Sequence, residues 1–212
     1  MDRRRGSDGG GGCVVPDDRT ADLHRDRGGG ADTGGERREQ LLCKVRENIL
    51  GCDADSVSLF NLEGKELWKE SIQFQKPIME VSRSSAAVAE LRGNEIAVFG
   101  EDGLRGQIKT TLPIEKMAVS SQGITAVILE NGGAPVIQCF DVSGNVLIEY
   151  KVSAATSGYP VDLALSPDGT KLLVSYMMTQ NSEVDTQLAY YDLEMSIKME
   201  ITGSEAALMQ TS

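Results

Sequence analysis

The chain has 212 residues, 40% of them hydrophobic and 25% charged, which suits one globular domain of ordinary size plus a tail. No run approaches the ~18 consecutive apolar residues of a transmembrane helix, and the N-terminal Arg cluster is not followed by the apolar stretch of a secretory signal. The formal net charge is -11, and all of that excess lies after residue 50, where 11 Lys and Arg face 22 Asp and Glu; such a domain repels phosphate backbones, so nucleic acid is not an expected partner.

Residues 1–35 contain ten glycines, with Arg and Asp supplying most of the rest. Few side chains there could build a core, so a disordered Gly/Arg/Asp-rich tail is expected. The basic residues also change identity: nine Arg and one Lys in the first 50 positions, three Arg and eight Lys after them. Two readings stay open, a native flexible tail and an upstream extension of the reading frame. His24, the single histidine, falls in this segment. The part expected to fold therefore has no imidazole for a Ser-His-Asp or Cys-His arrangement, nor for a His-dependent zinc site.

Residues 36–50 place Leu41, Leu42, Val45 and Ile49 at roughly helical spacing, while Ile49–Cys52 also reads as the start of a strand, so a short helix or irregular lead-in is expected over 36–47, followed by strand. From residue 48 the texture changes to short apolar runs separated by turns. Four segments repeat one pattern: SVSLFNLEGKELWKE, NEIAVFGEDGLRGQIKT, VIQCFDVSGNVLIEYKV and QLAYYDLEMSIKMEI. The aromatic near the end of the leading strand falls at Phe60, Phe99, Phe140 and Tyr191, at intervals of 39, 41 and 51 residues. Periods of this length with several strands each are the signature of β-propeller blades.

The first unit, 49–75, is one strand short on this reading. The second runs from Ile78 to about Thr111. The third predicts strands Met117–Val119, Ile124–Glu130, Val136–Asp141 and Val146–Val152, with Asn131-Gly132-Gly133 and Val142-Ser143-Gly144-Asn145 as turns. The fourth predicts Val161–Leu165, Leu172–Met177, Gln187–Asp192 and Ile197–Thr202, with Ser166-Pro167-Asp168-Gly169 as a turn. Apolar runs such as Ala126–Leu129 fit strands covered on both faces. The expected fold is all-β and propeller-like, with about four blades over residues 48–204, the first incomplete, and a C-terminal tail at 205–212. A β-sandwich is the competing architecture.

The unit Phe60 to Trp68, FNLEGKELW, resembles the quinoprotein-type blade motif, in which a Gly turn leads to Leu-Trp. Leu165 to Leu172, LSPDGTKL, resembles the WD40-like repeat of the TolB type. Three stretches, Thr111–Ile114 with Val119–Gly123, Gly158–Asp162, and Ser166 through Tyr176, resemble a bacterial family of unknown function known best from Firmicutes, over about residues 48–195. That resemblance implies a WD40-like propeller, a membrane-anchored and extracytoplasmic setting, and further blades, so that this chain would be a partial member. It transfers no catalytic residues.

The individual chemistry-bearing residues read as structural. Asp53-Ala54-Asp55-Ser56 starts like a calcium loop, but the sixth and twelfth positions are Ser58 and Gly64 where Gly and Glu are needed. Trp68 reads as inter-blade packing, Tyr159 as a residue packing on a strand start or lining a channel mouth, and Met177-Met178 as core. Asp162 and Asp168 would work as paired acids only if both faced one cleft. The four cysteines form no C-x-x-C pair, and Cys52 and Cys139 read as small buried hydrophobes. The sequence thus nominates no catalytic, cofactor-binding or metal residue. It points to a non-enzymatic binding or scaffold module of a cell-envelope protein, with an unidentified protein or glycan partner. The alternatives are the propeller domain of a quinoprotein-like enzyme or hydrolase, and a truncated fragment without a function of its own.

Overall fold

The computed structural model describes residues 41–180, 183–194 and 197–201. The expected tails at 1–35 and 205–212 lie outside the described residues. Within them, four separate four-stranded antiparallel sheets are each built from four consecutive strands. Blade 1 comprises β1 (Leu41–Val45), β2 (Asn48–Cys52), β3 (Val57–Phe60) and β4 (Glu66–Glu70). Blade 2 comprises β5 (Pro77–Val81), β6 (Ala86–Glu90), β7 (Glu95–Gly100) and β8 (Gly103–Lys109). Blade 3 comprises β9 (Ile114–Val119), β10 (Thr125–Leu129), β11 (Val136–Phe140) and β12 (Val146–Lys151). After a single helical turn, α1 (Ala154–Ser157), blade 4 comprises β13 (Tyr159–Leu165), β14 (Lys171–Gln180), β15 (Glu183–Asp192) and β16 (Ile197–Ile201).

The first strands neighbour one another in order, β1 beside β5, β5 beside β9 and β9 beside β13, and so form the inner wall. Each blade packs its forward face on the rear face of the next. Blade 1 sets Cys43, Leu50, Cys52 and Leu59 against Met79, Val88 and Phe99 of blade 2. Blade 2 sets Ala87, Ala89, Ile96 and Val98 against Met117, Val127, Leu129 and Phe140 of blade 3. Blade 3 sets Ala126, Ile128, Ile137 and Cys139 against Leu163, Leu172, Val174 and Tyr191 of blade 4. Every residue of β10 and β11 is buried, because both of their faces are covered. This explains why those strands read as continuous apolar runs. Burial of each such Val, Leu or Ile contributes about 1.5–3 kcal/mol.

The repeating aromatic has one structural role in three blades. Phe99, Phe140 and Tyr191 are fully covered by the preceding blade. In blades 1, 2 and 3 the pairing register shifts at this position, between Leu59 and Phe60, Val98 and Phe99, and Cys139 and Phe140. Such a bulge re-aims the side chain and tightens the local twist. The turn that follows needs a left-handed corner, which Gly64 and Gly144 supply at φ 81° and 84°. Asn61 and Asp141 brace these turns by accepting backbone N–H bonds from Lys65 and Asn145.

Three expectations are corrected. The lead-in forms strand β1 from Leu41, not a short helix, so blade 1 is complete with four strands. Leu41, Cys43 and Val45 alternate with Leu42 and Lys44, and pairing with β2 selects this period of two over the helical one. The two-residue turn Arg46–Glu47 hides the hairpin, because Arg46 takes a left-handed φ of 52° without a Gly or Asn to announce it. Finally, β14 and β15 run ten residues each and pair through Gln180–Glu183, well past the expected ends at Met177 and Gln187.

Cys52 and Cys139 are 0% exposed, as the sequence suggested, and burial pushes both thiols up to about 12. A thiol-reactive probe at mildly alkaline pH is expected to label neither until the fold opens. Rapid labelling of either in the native protein would contradict this packing.

Candidate functional site

The two ends of the blades differ. At one end lie the turns after each first strand. Ser84 and Ser85 both donate hydroxyl hydrogen bonds to the Ser121 carbonyl, and the Ser121 N–H donates to the Pro167 carbonyl. Arg105 adds a bond to the Ser85 hydroxyl at 2.7 Å. These turns lock blades 2, 3 and 4 together, and the hydroxyls are spent on that seam.

The other end is open. Here the β2–β3 and β6–β7 turns meet the linkers between blades, and they enclose a groove of about 1190 Å³. Its floor includes the linker at Gln75 and Lys76. Both backbone N–H groups there donate to the Glu90 carboxylate, at 2.6 and 2.8 Å. Its wall includes Arg92 and Lys109. Arg92 holds a left-handed φ of 61°, a conformation that costs a non-Gly residue about 1–2 kcal/mol. The backbone is pinned there on both sides: the Arg92 N–H donates to the Ile114 carbonyl, and the Ile114 N–H to the Gly93 carbonyl. Arg92 is exposed and borders a second, smaller cavity of about 300 Å³, whose walls include Lys116, Tyr159 and Val161. One arginine, held in place through its backbone, therefore lines two adjoining hollows.

Tyr159 starts β13 and lines that smaller hollow, so it packs on a strand start and also faces a cavity. Its hydroxyl donates to Glu115 at 2.7 Å, and that bond, with the carboxylate charge, pushes the phenol up to about 12. Along the inner wall, Glu80 of β5, Lys116 of β9 and Asp162 of β13 interact electrostatically. Partial burial and then the Asp162 charge raise the Glu80 carboxyl above its ordinary value, and Lys116 works against them. No local pattern along the chain marks this cluster, because its members come from three different blades.

Asp162 and Asp168 do not form paired acids. Asp168 sits in an exposed turn, where the Ser166 hydroxyl, the Thr170 N–H and the Thr170 hydroxyl all donate to its carboxylate. These bonds, led by Ser166, lower it to about 2. A folded value below the ordinary 3.8 means the turn is supported above that pH and loses support as pH falls toward about 2. The Thr170 amide resonance is expected to titrate with a midpoint near about 2; a midpoint at 3.8 would show these bonds absent in solution.

The calcium-loop look-alike is a closed turn. The Asp53 carboxylate accepts bonds from the Asp55 and Ser56 N–H groups at 2.9 and 2.7 Å and from the Ser56 hydroxyl. Partial burial pushes its carboxyl up, but these bonds prevail and hold it below its ordinary value. Among the described residues, no group of three His, Cys, Asp or Glu is placed to hold a metal ion. Trp68 packs between blades as expected. Its ring stacks on Phe99 with centroids 5.6 Å apart, and its indole N–H donates to the Glu101 carbonyl at 2.8 Å. Met177 departs from the expected core position: it is 45% exposed on the forward face of blade 4.

The fold has solved counterparts at low identity. A Kluyveromyces lactis Hsv2 protein with loop 6CD replaced by a Gly-Ser linker aligns over 76% of this chain and 68% of its own, with 16% identity and a TM-score of 0.50. The Neurospora crassa Pan2 WD40 domain aligns over 76% of this chain with 14% identity and a TM-score of 0.49, and this chain spans 51% of that domain. A Bacteroides caccae protein of unknown function aligns over 80% of this chain and 63% of its own, with 16% identity and a TM-score of 0.48. No curated protein sequence matches. No helix among the described residues is long and apolar enough to cross a membrane. At the level of family, the profile of DUF5711, a family of unknown function, matches residues 32–203, and with the blade repeat described above this chain belongs to it.

Proposed function

We propose that this chain is a non-enzymatic binding module that takes a protein or glycan partner on its open end, as part of a bacterial cell-envelope protein. The observation that carries this reading is the groove of about 1190 Å³, whose rim is formed by the β2–β3 and β6–β7 turns and whose wall includes the exposed Arg92, pinned through its backbone. A rigid disc with open loops at one end is suited to recognition, and Arg is enriched among residues that dominate binding energy. Blade 4 adds a β-arm on the same side. Its strands β14 and β15 extend about 10 Å past the start of β13, which widens the surface a partner meets. The envelope setting is supported by the family resemblance alone.

The test is capture of two named probes, soluble muropeptides and a random peptide library, by the full chain. Arg92→Ala and Lys109→Ala are expected to weaken capture about tenfold each. Leu147→Ser on the outer strand of blade 3 serves as a control and should leave capture unchanged. Capture insensitive to both groove variants would sink the reading, as would turnover of a glycoside, an ester or a quinone-dependent substrate.

A further inference from the structure

Beside the groove at the open end lies another hollow, of about 270 Å³, between the linker that follows blade 1 and the outer strands of blade 2. Its apolar lining is Ile72, Phe74, Ile96, Ala97 and Ile108. Phe74, Glu95 and Lys109 line the hollow and the groove alike, so the two adjoin. On β7 and β8 the register sets Glu95 opposite Lys109 and, one residue further along, Ile96 opposite Ile108. The linker wall is fixed before anything binds. The Phe74 N–H donates to the Ala54 carbonyl at 2.9 Å, and the next two N–H groups donate to Glu90. A side chain entering the hollow therefore buries apolar surface without the cost of ordering the wall.

The charged side chains of the groove are unequally engaged. Glu90 accepts from two backbone N–H groups, and Glu95 pairs with Lys109 at 3.5 Å. Arg92 and Lys76 are exposed, and neither pairs with a carboxylate among the described residues. The groove thus presents two unengaged cations on a domain that is acidic overall. Arg92 stands three residues from Glu95, so their Cα atoms are at most ~11 Å apart, the span of about three residues of extended chain. A sugar ring packs its face on an exposed aromatic side chain. The single aromatic lining the groove and the hollow, Phe74, is only 5% exposed, so these walls suit an aliphatic side chain better than a glycan.

We infer that the groove takes an extended segment of a partner protein, with one aliphatic side chain seated in the hollow lined by Phe74 and Ile108 and an acidic side chain, one to three positions away, paired with Arg92 and Lys76. The hollow supplies the desolvated anchor, and the two cations fix the direction and register of the segment. This inference rests on the reading of the groove as a binding site and narrows its partner to a polypeptide.

The experiment measures binding of the full chain to capped hexapeptides on an Ala/Thr background. Each carries Leu at one position and Glu, Gln or Lys one to three positions away; a second set has Ser in place of Leu, and soluble muropeptides are measured beside them. Peptides with both Leu and Glu are expected to bind about tenfold tighter than those with Leu and Gln or with Ser and Glu. Arg92→Gln should abolish the preference for Glu and keep that for Leu, and Ile72→Ser should do the reverse. With the unaltered chain, raising salt should shrink the Glu preference and leave the Leu preference in place, a readout that needs no variant to fold. Binding without either preference overturns the inference, as do preferences indifferent to Arg92→Gln and Ile72→Ser. Muropeptides bound through Arg92 with no hexapeptide bound would overturn it while leaving the groove a binding site. Failure of both classes to bind would overturn both.

Discussion

Gly106→Ala is expected to destabilise the fold by about 3 kcal/mol, at the upper end of overpacking costs, through a contact that cannot relax. Gly106 lies on β8, the outer strand of blade 2, and a methyl group there would sit against the Val142 carbonyl oxygen of blade 3. The obstacle is backbone on both sides, so no side-chain rotation relieves it. The same turn of blade 3 presses on Gly123, where an added Cβ would come 2.7 Å from Val142 Cγ2. Gly64 provides the comparison. Its φ of 81° penalises a side chain, but nothing lies within 4 Å of an added Cβ, so Gly64→Ala should cost only the backbone strain of about 1–2 kcal/mol. Thermal unfolding separates the two. A domain of this size loses about 2–4 °C of Tm per kcal/mol, and Gly106→Ala should fall well below Gly64→Ala. Equal melting temperatures would mean that blades 2 and 3 do not close at this seam.

Trp68→Ala should cost about 3 kcal/mol, near the lower end of the range for large aromatic truncations because the ring is only half-buried. Three terms are lost: the apolar contact, the stacking on Phe99, and the hydrogen bond to the Glu101 carbonyl. Trp68→Phe keeps the stacking and drops only the bond, so a loss of about 1 kcal/mol is expected. Because Trp68 is the single tryptophan, its fluorescence reports the seam between blades 1 and 2 directly. If the blades unfold as one unit, the fluorescence transition will coincide with that of circular dichroism. A fluorescence transition at lower temperature would show blade 1 separating first, and Trp68→Ala would then leave the main transition in place.

The Arg46–Glu101 ion pair crosses the same seam at 3.5 Å, but its side chains are 55% and 39% exposed. Pairs so well solvated contribute little, so the seam depends on Trp68 and the apolar faces. Lys171 and Asp192 are closer, at 2.6 Å, and their contact joins the ends of β14 and β15 within one blade.

The sequence by itself determined the blade repeat, the positions of strands β10, β11 and β12 to within a residue, and the place of Trp68. These signals are local: a turn that needs a left-handed residue shows a Gly, as at Gly64 and Gly144, and a strand covered on both faces shows an unbroken apolar run, as in β10 and β11. Even the repeated aromatic was legible, because one packing environment recurs in each blade. Tertiary structure alone decided the rest. The segment Leu41–Val45 satisfies a helical and an alternating pattern at once, and only pairing with β2 chooses between them. Met177 reads as core by type, but its burial depends on whether another surface covers blade 4. The Glu80, Lys116 and Asp162 cluster and the groove beside Arg92 join residues from different blades. No spacing along the chain encodes them, because the distance between two blades is set by the packing of their faces and not by the number of residues that separate them.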